Sequence, residues 1–358
     1  MAPSRTGNLT NDVALPSDSK DTVSSLSWSP VANHLAVASW DQRVRIYDAA
    51  SRRGVAALVA EAPVFSCDWV KDGNLIAAGG ADEKVHVMDV ETGQQKVIGS
   101  HAAPVRGVRF ADVPGANGPI VASGSWDKTV KLWDMRQGPR DAVARLPVDE
   151  RVYSLDAKAD LLVAATADLR IHLVDLKNPT KIFKTVKSPL REQTRAVAAF
   201  PNGKGWATAS IEGRCGINAI DEKEARAMNF TFRCHREVIA KDTKIWAVND
   251  FQFHPVHTST FVTAGSDGTF CFWDRVKRQR ICAYPNVSSP GTPEPTGNKT
   301  PAQPSAVTAI SFSRDGTVFA YAVGYDWSRG CVGNTPETET RVMLHAISDE
   351  DAAPKTSL

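Results

Sequence analysis

Short runs of alternating apolar and polar residues recur along most of this chain, and clusters of Gly, Asp, Asn, Ser and Pro separate them. Runs of this kind, rich in β-branched and aromatic residues, predict short half-buried strands joined by tight turns. The clearest run is residues 125–134, in which Asp127 marks the turn and Trp133 and Asp134 end the strand. The pattern therefore predicts an all-β fold.

An acidic turn residue followed six positions later by a strand residue returns along the chain. The pairs are Asp41 with Tyr47, Asp82 with Met88, Asp127 with Trp133, Asp168 with Val174, a degraded Glu212 with Asn218, and Asp267 with Trp273. The acidic residues are 41 to 55 positions apart. A period of roughly 40–45 residues with Trp-Asp endings is typical of propeller blades. The sequence thus predicts a seven-bladed WD-repeat β-propeller.

This repeat also sets the domain organisation. Residues 1–20 are predicted to form a tail with a closing strand, residues 21–348 the propeller, and residues 349–358 a polar tail. The apolar alternation at residues 11–16 is expected to pair with the last blade, which closes the ring and covers a strand edge. Residues 288–305, rich in Pro, Thr, Gly and Ser, are expected to be a disordered linker between blades six and seven.

A buried Trp needs a hydrogen-bond acceptor for its indole N–H. In blade three, Ser123 and Asp127 precede Trp133, and His101 opens the blade, which resembles the Trp, Ser/Thr, Asp and His network of WD-repeat proteins. Blade six keeps Thr263, Asp267 and Trp273, but its candidate His235 lies across a long insert. Blades one, two and four replace the Trp, so their marked Asp residues are expected to serve only the turn.

Composition places few limits on the partner. The net charge of +2 gives no global field towards nucleic acid or membranes, so any basic site must be local. Six cysteines without a C-x-x-C pair, and a start without an apolar signal region, predict a reduced intracellular protein. No apolar run is long enough to predict a membrane span.

The sequence contains no recognisable catalytic motif. G-x-S-x-G, the phosphate-binding G-x-x-x-x-G-K-[ST] and H-E-x-x-H are all absent. His254 and His257 come nearest to a metal pair, but no Cys or carboxylate cluster has ligand spacing beside them. We therefore predict a scaffold that is not an enzyme and that holds neither a metal nor a cofactor. An enzyme of unknown type is the minor alternative.

Two segments carry residues that the repeat does not require. Residues 275–280 hold four cations in the turn after Trp273 and Asp274, and residues 229–237 mix aromatic and basic side chains around blade five. Aromatic and Arg side chains dominate the energetics of binding surfaces. An ordinary solvated turn and an ordinary outer strand are the alternatives.

Several blocks resemble the messenger-RNA export WD-repeat factors of the nuclear pore. These blocks are residues 210–214, 229–236, 253–257, 264–268 and 319–330, and the resemblance runs from about Val13 to His345. It implies a monomeric propeller that forms a heterodimer with a short hairpin segment, the GLEBS motif, of an FG-repeat nucleoporin. It also implies location in the nucleus, at the nuclear envelope and pore, with shuttling to the cytoplasm.

The resemblance also assigns site residues. Arg214 matches an Arg that faces acidic residues of the GLEBS hairpin, and Glu212 and Arg195 are grouped with it. A second surface, which in the family engages viral inhibitors of export and contacts single-stranded RNA, maps onto Phe232, Arg233, His235, Trp273, Asp274, Arg275, Arg278 and Arg280.

The alternative is that the chain resembles a spindle-checkpoint WD-repeat relative of the export factors. It shares residues 211–214 and 234–236 and binds GLEBS-like segments of checkpoint kinases, so mitotic checkpoint proteins are alternative partners. The blocks at residues 229–232, 253–257 and 325–330 favour the export family.

Overall fold

A computed structural model of the protein describes residues 5–136, 141–287, 305–334 and 340–353. Two short strands come first, β1 (Arg5–Thr6) and β2 (Val13–Leu15). Seven antiparallel sheets follow, and each contributes one blade. The innermost strands of successive blades contact one another all the way round, and that of blade seven contacts that of blade one. The predicted seven-bladed all-β propeller is confirmed.

The first three blades have four strands each, numbered from the central axis outwards. Blade one contains β3 (Val23–Trp28), β4 (His34–Ser39), β5 (Arg43–Asp48) and β6 (Arg53–Val59). Blade two contains β7 (Val64–Trp69), β8 (Leu75–Gly80), β9 (Lys84–Asp89) and β10 (Gln95–Ser100). Blade three contains β11 (Val105–Ala111), β12 (Ile120–Ser125), β13 (Thr129–Asp134) and β14 (Ala144–Pro147).

Blades four and five repeat this order, but an insert follows blade five. Blade four contains β15 (Val152–Lys158), β16 (Leu161–Thr166), β17 (Arg170–Asp175) and β18 (Ile182–Lys187). Blade five contains β19 (Thr194–Ala199), β20 (Gly205–Ser210), β21 (Arg214–Ala219), helix α1 (Glu222–Met228) and β22 (Phe230–Arg233). The insert is a hairpin of β23 (Arg236–Ile239) and β24 (Asp242–Ile245).

Blades six and seven complete the ring. Blade six contains β25 (Val248–Phe253), β26 (Thr260–Gly265), β27 (Phe270–Asp274) and β28 (Gln279–Tyr284). Blade seven contains β29 (Ala306–Phe312), β30 (Val318–Gly324), the 3-10 turn Gly330–Gly333 and β31 (Arg341–Ala346), and helix α2 (Asp349–Ala352) follows. Except for residue 305, the predicted linker at residues 288–305 lies outside the described residues.

The N-terminal closing strand forms as predicted. Strand β2 pairs antiparallel with β31 and supplies the fourth strand of blade seven. Its Leu15 is buried in the core between blades seven and one. The ring is therefore closed by hydrogen bonds between the two ends of the chain.

Two features at the chain ends differ from the prediction. Strand β1 pairs in parallel with β28 and gives blade six a fifth strand. The segment after Ser348 is not simply a polar tail, because α2 buries Ala352 against blade six and the hydroxyl of Thr260 donates to its carbonyl at 2.6 Å. Arg5 then pairs with Glu350 at 2.8 Å, so the two termini meet on this blade.

Side chains on the inner strands link neighbouring blades. The carboxylate of Asp68 accepts the backbone N–H of Phe110 at 2.8 Å, and that of Asp156 accepts the N–H of Ala199 at 2.8 Å. Asp250 accepts the N–H of residue 310 in the same way at 2.9 Å. These bonds satisfy backbone groups that no strand ladder reaches, because adjacent blades are separate sheets.

The predicted network of blade three is present. The indole N–H of Trp133 donates to the Ser123 hydroxyl at 2.7 Å, and the His101 ring lies 2.7 Å from Ser123 and 2.9 Å from Asp127. Because these groups are buried and each has a partner, the network fixes the strand positions.

Two of the other acidic turn residues form side-chain pairs in addition to the turn contacts predicted for them. Asp41 pairs with Arg45 at 2.8 Å, and Asp82 lies 2.6 Å from the His86 ring. In both blades the partner stands four residues later on the next strand and replaces the missing Trp network. The repeat pattern does not indicate these pairs, because it relates each acidic turn residue to the residue six positions later.

Acidification is expected to weaken the junction of blades six and seven. The buried His254 accepts the N–H of His257 at Nδ1, 2.9 Å away, and its Nε2 lies 3.2 Å from the Gly316 carbonyl. Only a neutral ring can do both, and burial lowers the pKa of His254 to about 4. In the unfolded chain the histidine ring has a pKa of about 6.5. The stability that the neutral ring contributes is therefore lost as the pH falls from about 6.5 to about 4.

Urea unfolding of the wild type and His254→Gln measures this contribution. Between about pH 7 and about pH 5, the wild type should lose on the order of 2 kcal/mol more than the variant. The other histidines are present in both proteins, so their contributions to the free energy of unfolding cancel in the comparison. Equal losses in the two proteins would show that His254 does not contribute.

Candidate functional site

The turns between the second and third strands of all blades lie at one end of the ring, here called the upper face. The inner strands begin at the same end, since residue 105 pairs with residue 125 and residue 194 with residue 210. A channel of about 1380 Å³ runs along the axis and opens on this face.

Arg214 lies on the upper face of blade five, where it begins β21 opposite Arg233. Its side chain is 32% exposed, and its Nε is 3.6 Å from a carboxylate oxygen of Glu212, which is 17% exposed. The structure thus brings Arg214 and Glu212 together at an accessible position.

A third arginine, Arg236, completes this group. Its guanidinium donates to the carbonyl of Glu212 at 2.6 Å and to that of Gly213 at 3.3 Å. Burial, followed by the charges of Arg214 and Arg233, lowers the pKa of Arg236. We call Arg214, Arg233 and Arg236 the arginine cluster. Arg236 ends the block at residues 229–236 that resembles the export factors, but the sequence alone does not distinguish it as a site residue.

Exposed apolar side chains border the arginine cluster. Ile211 is 40% exposed and Ile245, at the end of the hairpin, is 47% exposed. Ile245 lies over Gly213, whose φ of +59° places it in the left-handed region that favours glycine. Charged and apolar groups therefore meet around the turn at residues 211–213.

Arg195 is not part of this cluster. It lies on β19, two strands nearer the axis, and lines the channel. Its guanidinium donates to the carbonyl of Asp326 in blade seven at 3.3 Å, and burial lowers its pKa. Arg195 and Arg214 share the upper face but form separate positions on it.

A row of aromatic rings continues from this point across blades seven, one, two and three. The ring centroids of Trp327 and Trp40 are 4.6 Å apart, those of Trp40 and Phe65 are 5.6 Å apart, and those of Phe65 and Trp126 are 6.1 Å apart. Tyr325 extends the row beyond Trp327. We call these five residues the aromatic row.

Sequence analysis missed the aromatic row. Trp40 and Trp126 each come directly before a marked Asp, in a turn where a small polar residue would suffice. A Trp directly before the acidic turn residue is therefore the sequence signal that indicates this row. The indole N–H of Trp126 is buried and, among the described residues, has no hydrogen-bond partner.

The second predicted surface lies where the outer strands of blades five and six meet. The ring of Phe232 is 4.8 Å from that of Trp273, whose indole N–H donates to Thr263 at 3.0 Å. Arg233 and Arg280 are exposed, and Arg280 stands opposite Trp273. Phe232, Trp273 and Arg280 therefore come together, and Arg233 follows Phe232 on β22.

The cations in the basic turn, residues 275–280, make more contacts within the fold than those of a fully solvated turn would. The Arg275 guanidinium stacks 4.4 Å from the ring centre of Phe200, and burial lowers its pKa. Arg278 lies 5.0 Å over the ring of Phe230 and donates to the carbonyl of Ala227. The exposed Arg278 thus also joins this turn to the segment before β22.

Two residues predicted for this surface are buried. The His235 ring is buried, 2.9 Å from Asp267 and 3.0 Å from Thr263, so it completes the network of blade six across the insert. Asp274 is 2% exposed and accepts the N–H groups of residues 276 and 277 in its own turn. Both side chains are thus buried inside the fold, and their assignment as surface contacts stays a prediction.

Within the described ranges, no group of three or more His, Cys, Asp or Glu side chains is arranged to hold a metal ion. No helix in the same ranges is long and apolar enough to cross a membrane. All six cysteines carry free thiols.

Comparison with known proteins places the chain in a family. The family described as "WD domain, G-beta repeat" matches residues 13–48, 55–89, 93–134 and 229–274. Over 355 residues, the chain is 46% identical to "WD40 repeat protein poxJ" of Penicillium oxalicum, covering 98% of this chain and 97% of that protein.

Two further relatives have names that describe a role. "mRNA export factor GLE2" of Chaetomium thermophilum is 42% identical over 360 residues, which are 98% of this chain and 95% of that protein. "Mitotic checkpoint protein BUB3.1" of Arabidopsis thaliana is 34% identical over 339 residues, which are 94% and 92% of the two chains. The chain therefore belongs to the WD-repeat family, within the group that contains the messenger-RNA export factors.

Proposed function

We propose that this protein is a non-enzymatic scaffold that supports messenger-RNA export by binding a GLEBS-type segment of an FG-repeat nucleoporin on its upper face. Such a role locates it in the nucleus and at the nuclear pore, with shuttling to the cytoplasm. The relatives named as export factors support the export role. A checkpoint adaptor is the alternative, supported by the relative at 34% identity.

The arginine cluster carries the proposal. Three guanidinium groups surround a turn that offers one carboxylate, Glu212, and that carboxylate also accepts the N–H of Arg191 at 3.0 Å. Positive charge is therefore in excess beside the exposed Ile211 and Ile245. An acidic segment with apolar anchors matches this chemistry, since partly desolvated Arg–carboxylate contacts give specificity and apolar anchors give affinity.

The remainder of the upper face extends this surface. From the arginine cluster, an extended segment would pass Arg195 at the channel and reach Trp327, which follows the Asp326 that Arg195 contacts. The aromatic row then offers ring faces across four blades.

Reversing the charge of Arg214 tests the proposal. We expect Arg214→Glu to weaken binding of a GLEBS-type peptide by about 30-fold or more, because like charges would then meet in a partly desolvated contact. Arg145→Glu, on the exposed outer strand of blade three, is the matched control and should leave affinity unchanged. Calorimetry with nucleoporin and checkpoint-kinase segments measures both variants and ranks the two partner classes. Unchanged affinity for Arg214→Glu with an intact fold would remove this site.

We also propose that single-stranded RNA contacts the junction of blades five and six. Exposed cations at positions 277, 278 and 280 lie on or next to the turn after Trp273, and Arg233 follows Phe232, whose ring is 4.8 Å from that of Trp273. Phosphate contacts and base stacking need cations and aromatic rings close to one another. Binding should weaken as salt rises, with a log–log slope of about 0.7 per phosphate contact.

Replacing these four cations by Gln should reduce the salt slope and the affinity. Replacement of exposed lysines 181 and 187 on blade four is the control. Fluorescence anisotropy with a labelled oligonucleotide measures both. Affinity that stays flat from low to high salt would contradict RNA contact through phosphates.

A further inference from the structure

Two buried cysteines lie side by side beneath the arginine cluster. Cys215 is the second residue of β21, and Cys234 follows the last residue of β22. Their sulfur atoms are 3.7 Å apart, and the two residues are 0% and 6% exposed. Both are free thiols.

The surrounding backbone allows these sulfurs to approach further. A disulfide bond is about 2.0 Å long, so the two sulfur atoms would have to move about 1.7 Å closer together. Strand β22 is the outermost strand of its sheet and pairs only with β21. Local movement at the end of β22 therefore breaks no second ladder. The N–H of Cys234 already bonds to the Gly213 carbonyl at 3.0 Å, which keeps the segment next to β21.

We propose that Cys215 and Cys234 form a redox-active dithiol that a small disulfide of the glutathione type oxidises to an intramolecular disulfide. One thiolate attacks a sulfur of oxidised glutathione and releases one reduced glutathione, leaving a mixed disulfide on the protein. The second thiolate attacks the protein sulfur of that mixed disulfide and releases another reduced glutathione. The protein loses two protons and two electrons, and one glutathione disulfide is reduced to two thiols.

The order of attack follows from exposure. Cys234 lies just after the edge strand β22, so local opening of this strand uncovers it first, and Cys215 then resolves the mixed disulfide. Burial raises the pKa of Cys234 well above its usual value, so oxidation is slow and follows local opening of β22.

The bond would act on the binding surface. Arg214 precedes Cys215, and Arg233 and Arg236 flank Cys234. A covalent bond between the two strands fixes the spacing of the arginine cluster and the base of the hairpin. This consequence rests on the proposed function, whereas formation of the disulfide does not, so the two are tested separately.

The test incubates the full-length protein, without any partner, in a series of oxidised-to-reduced glutathione ratios. Cys331→Ser removes the exposed cysteine and serves as the parent. Free thiols are then alkylated under denaturing conditions, and peptides are mapped by mass spectrometry. We expect a 215–234 cross-linked peptide, about 2 Da lighter than the two reduced peptides. The bridge should persist in the matched buried-cysteine variant Cys271→Ser and be absent from Cys215→Ser and Cys234→Ser.

Two results would overturn the proposal. Both thiols could remain alkylatable at every ratio, which would make the pair a packing contact, or the bridge could join another cysteine. The parent protein gives this answer even if a serine variant does not fold. GLEBS-peptide affinity is then compared between the reduced and bridged forms. A bridge that forms without changing affinity removes the effect on the binding surface, whereas absence of peptide binding in both forms counts against the proposed function alone.

Discussion

Replacing Asp12 by Ala is expected to destabilise the propeller by about 2–6 kcal/mol, because two buried groups lose the hydrogen-bond partner that this carboxylate provides. The Asp12 carboxylate is 3% exposed and lies 2.6 Å from Nδ1 of His345 on β31. It also accepts the hydroxyl of Tyr321 on β30 at 2.6 Å. One side chain from the N-terminal segment thus holds two strands of the last blade.

The loss has two parts. Without Asp12, the ring of His345 and the hydroxyl of Tyr321 are left buried without this partner, and each unsatisfied group costs about 1–3 kcal/mol. In addition, β2 loses its anchor at the point where it covers β31. An uncovered β31 presents a strand edge that can pair with other chains, so the variant should also aggregate more readily on heating.

Urea unfolding measures the stability change, and hydrogen exchange of the β31 amides locates it. Asp112→Ala is the control, because Asp112 is 70% exposed and forms only a surface pair with Lys71 at 3.5 Å. Such a pair contributes about 0–1 kcal/mol. Asp12→Asn should fall between the two, since its amide oxygen can still accept from Tyr321. Equal stability of the Asp12→Ala and Asp112→Ala variants would show that the ring does not depend on this contact.

The ring and its closure could be predicted because their signals are local. The acidic turn residues recur every 41 to 55 positions, and the apolar alternation at residues 11–16 predicts a strand wherever that strand pairs. The Trp133 network was predictable for the same reason, since three of its members lie within eleven residues of one another. These features depend on the period of a strand and on turn chemistry.

Other features depend on contacts between distant parts of the chain. Asp12 and His345 are separated by 333 positions, and nothing in the sequence around either residue indicates the other. The pairing of β1 with β28 and the burial of Ala352 are equally remote. Short polar segments of this kind are ordered by the surface that they meet and not by their own pattern.

The candidate sites were predicted in part for a similar reason. Resemblance identified Arg214, but exposure and partners decide what a basic or acidic residue can do. Arg275 stacks on Phe200 and Asp274 closes its own turn, and neither contact is visible in the sequence of the basic segment. The aromatic row is formed by residues from four blades, so only the closed ring brings them together.

Substitution of His235 distinguishes most clearly between a structural role and a binding role for one side chain. Its φ of +48° lies in the left-handed region, which Asn tolerates better than most residues. His235→Asn therefore preserves the backbone and removes the imidazole that lies between Asp267 and Thr263. We expect a loss of about 3 kcal/mol in the free energy of unfolding, because Asp267 and Thr263 lose a buried partner.

The same variant should leave RNA binding unchanged at temperatures where it is folded. The imidazole is enclosed, whereas the cations of the proposed RNA surface are exposed on the outer strands and in the turn between β27 and β28. Unfolding and anisotropy measurements on one preparation compare the two effects, and His34→Ala, at a 30% exposed ring, controls for loss of a histidine. If His235→Asn instead weakened RNA binding at unchanged stability, the imidazole would belong to the binding surface. The network of blade six would then be formed by Trp273, Thr263 and Asp267 without it.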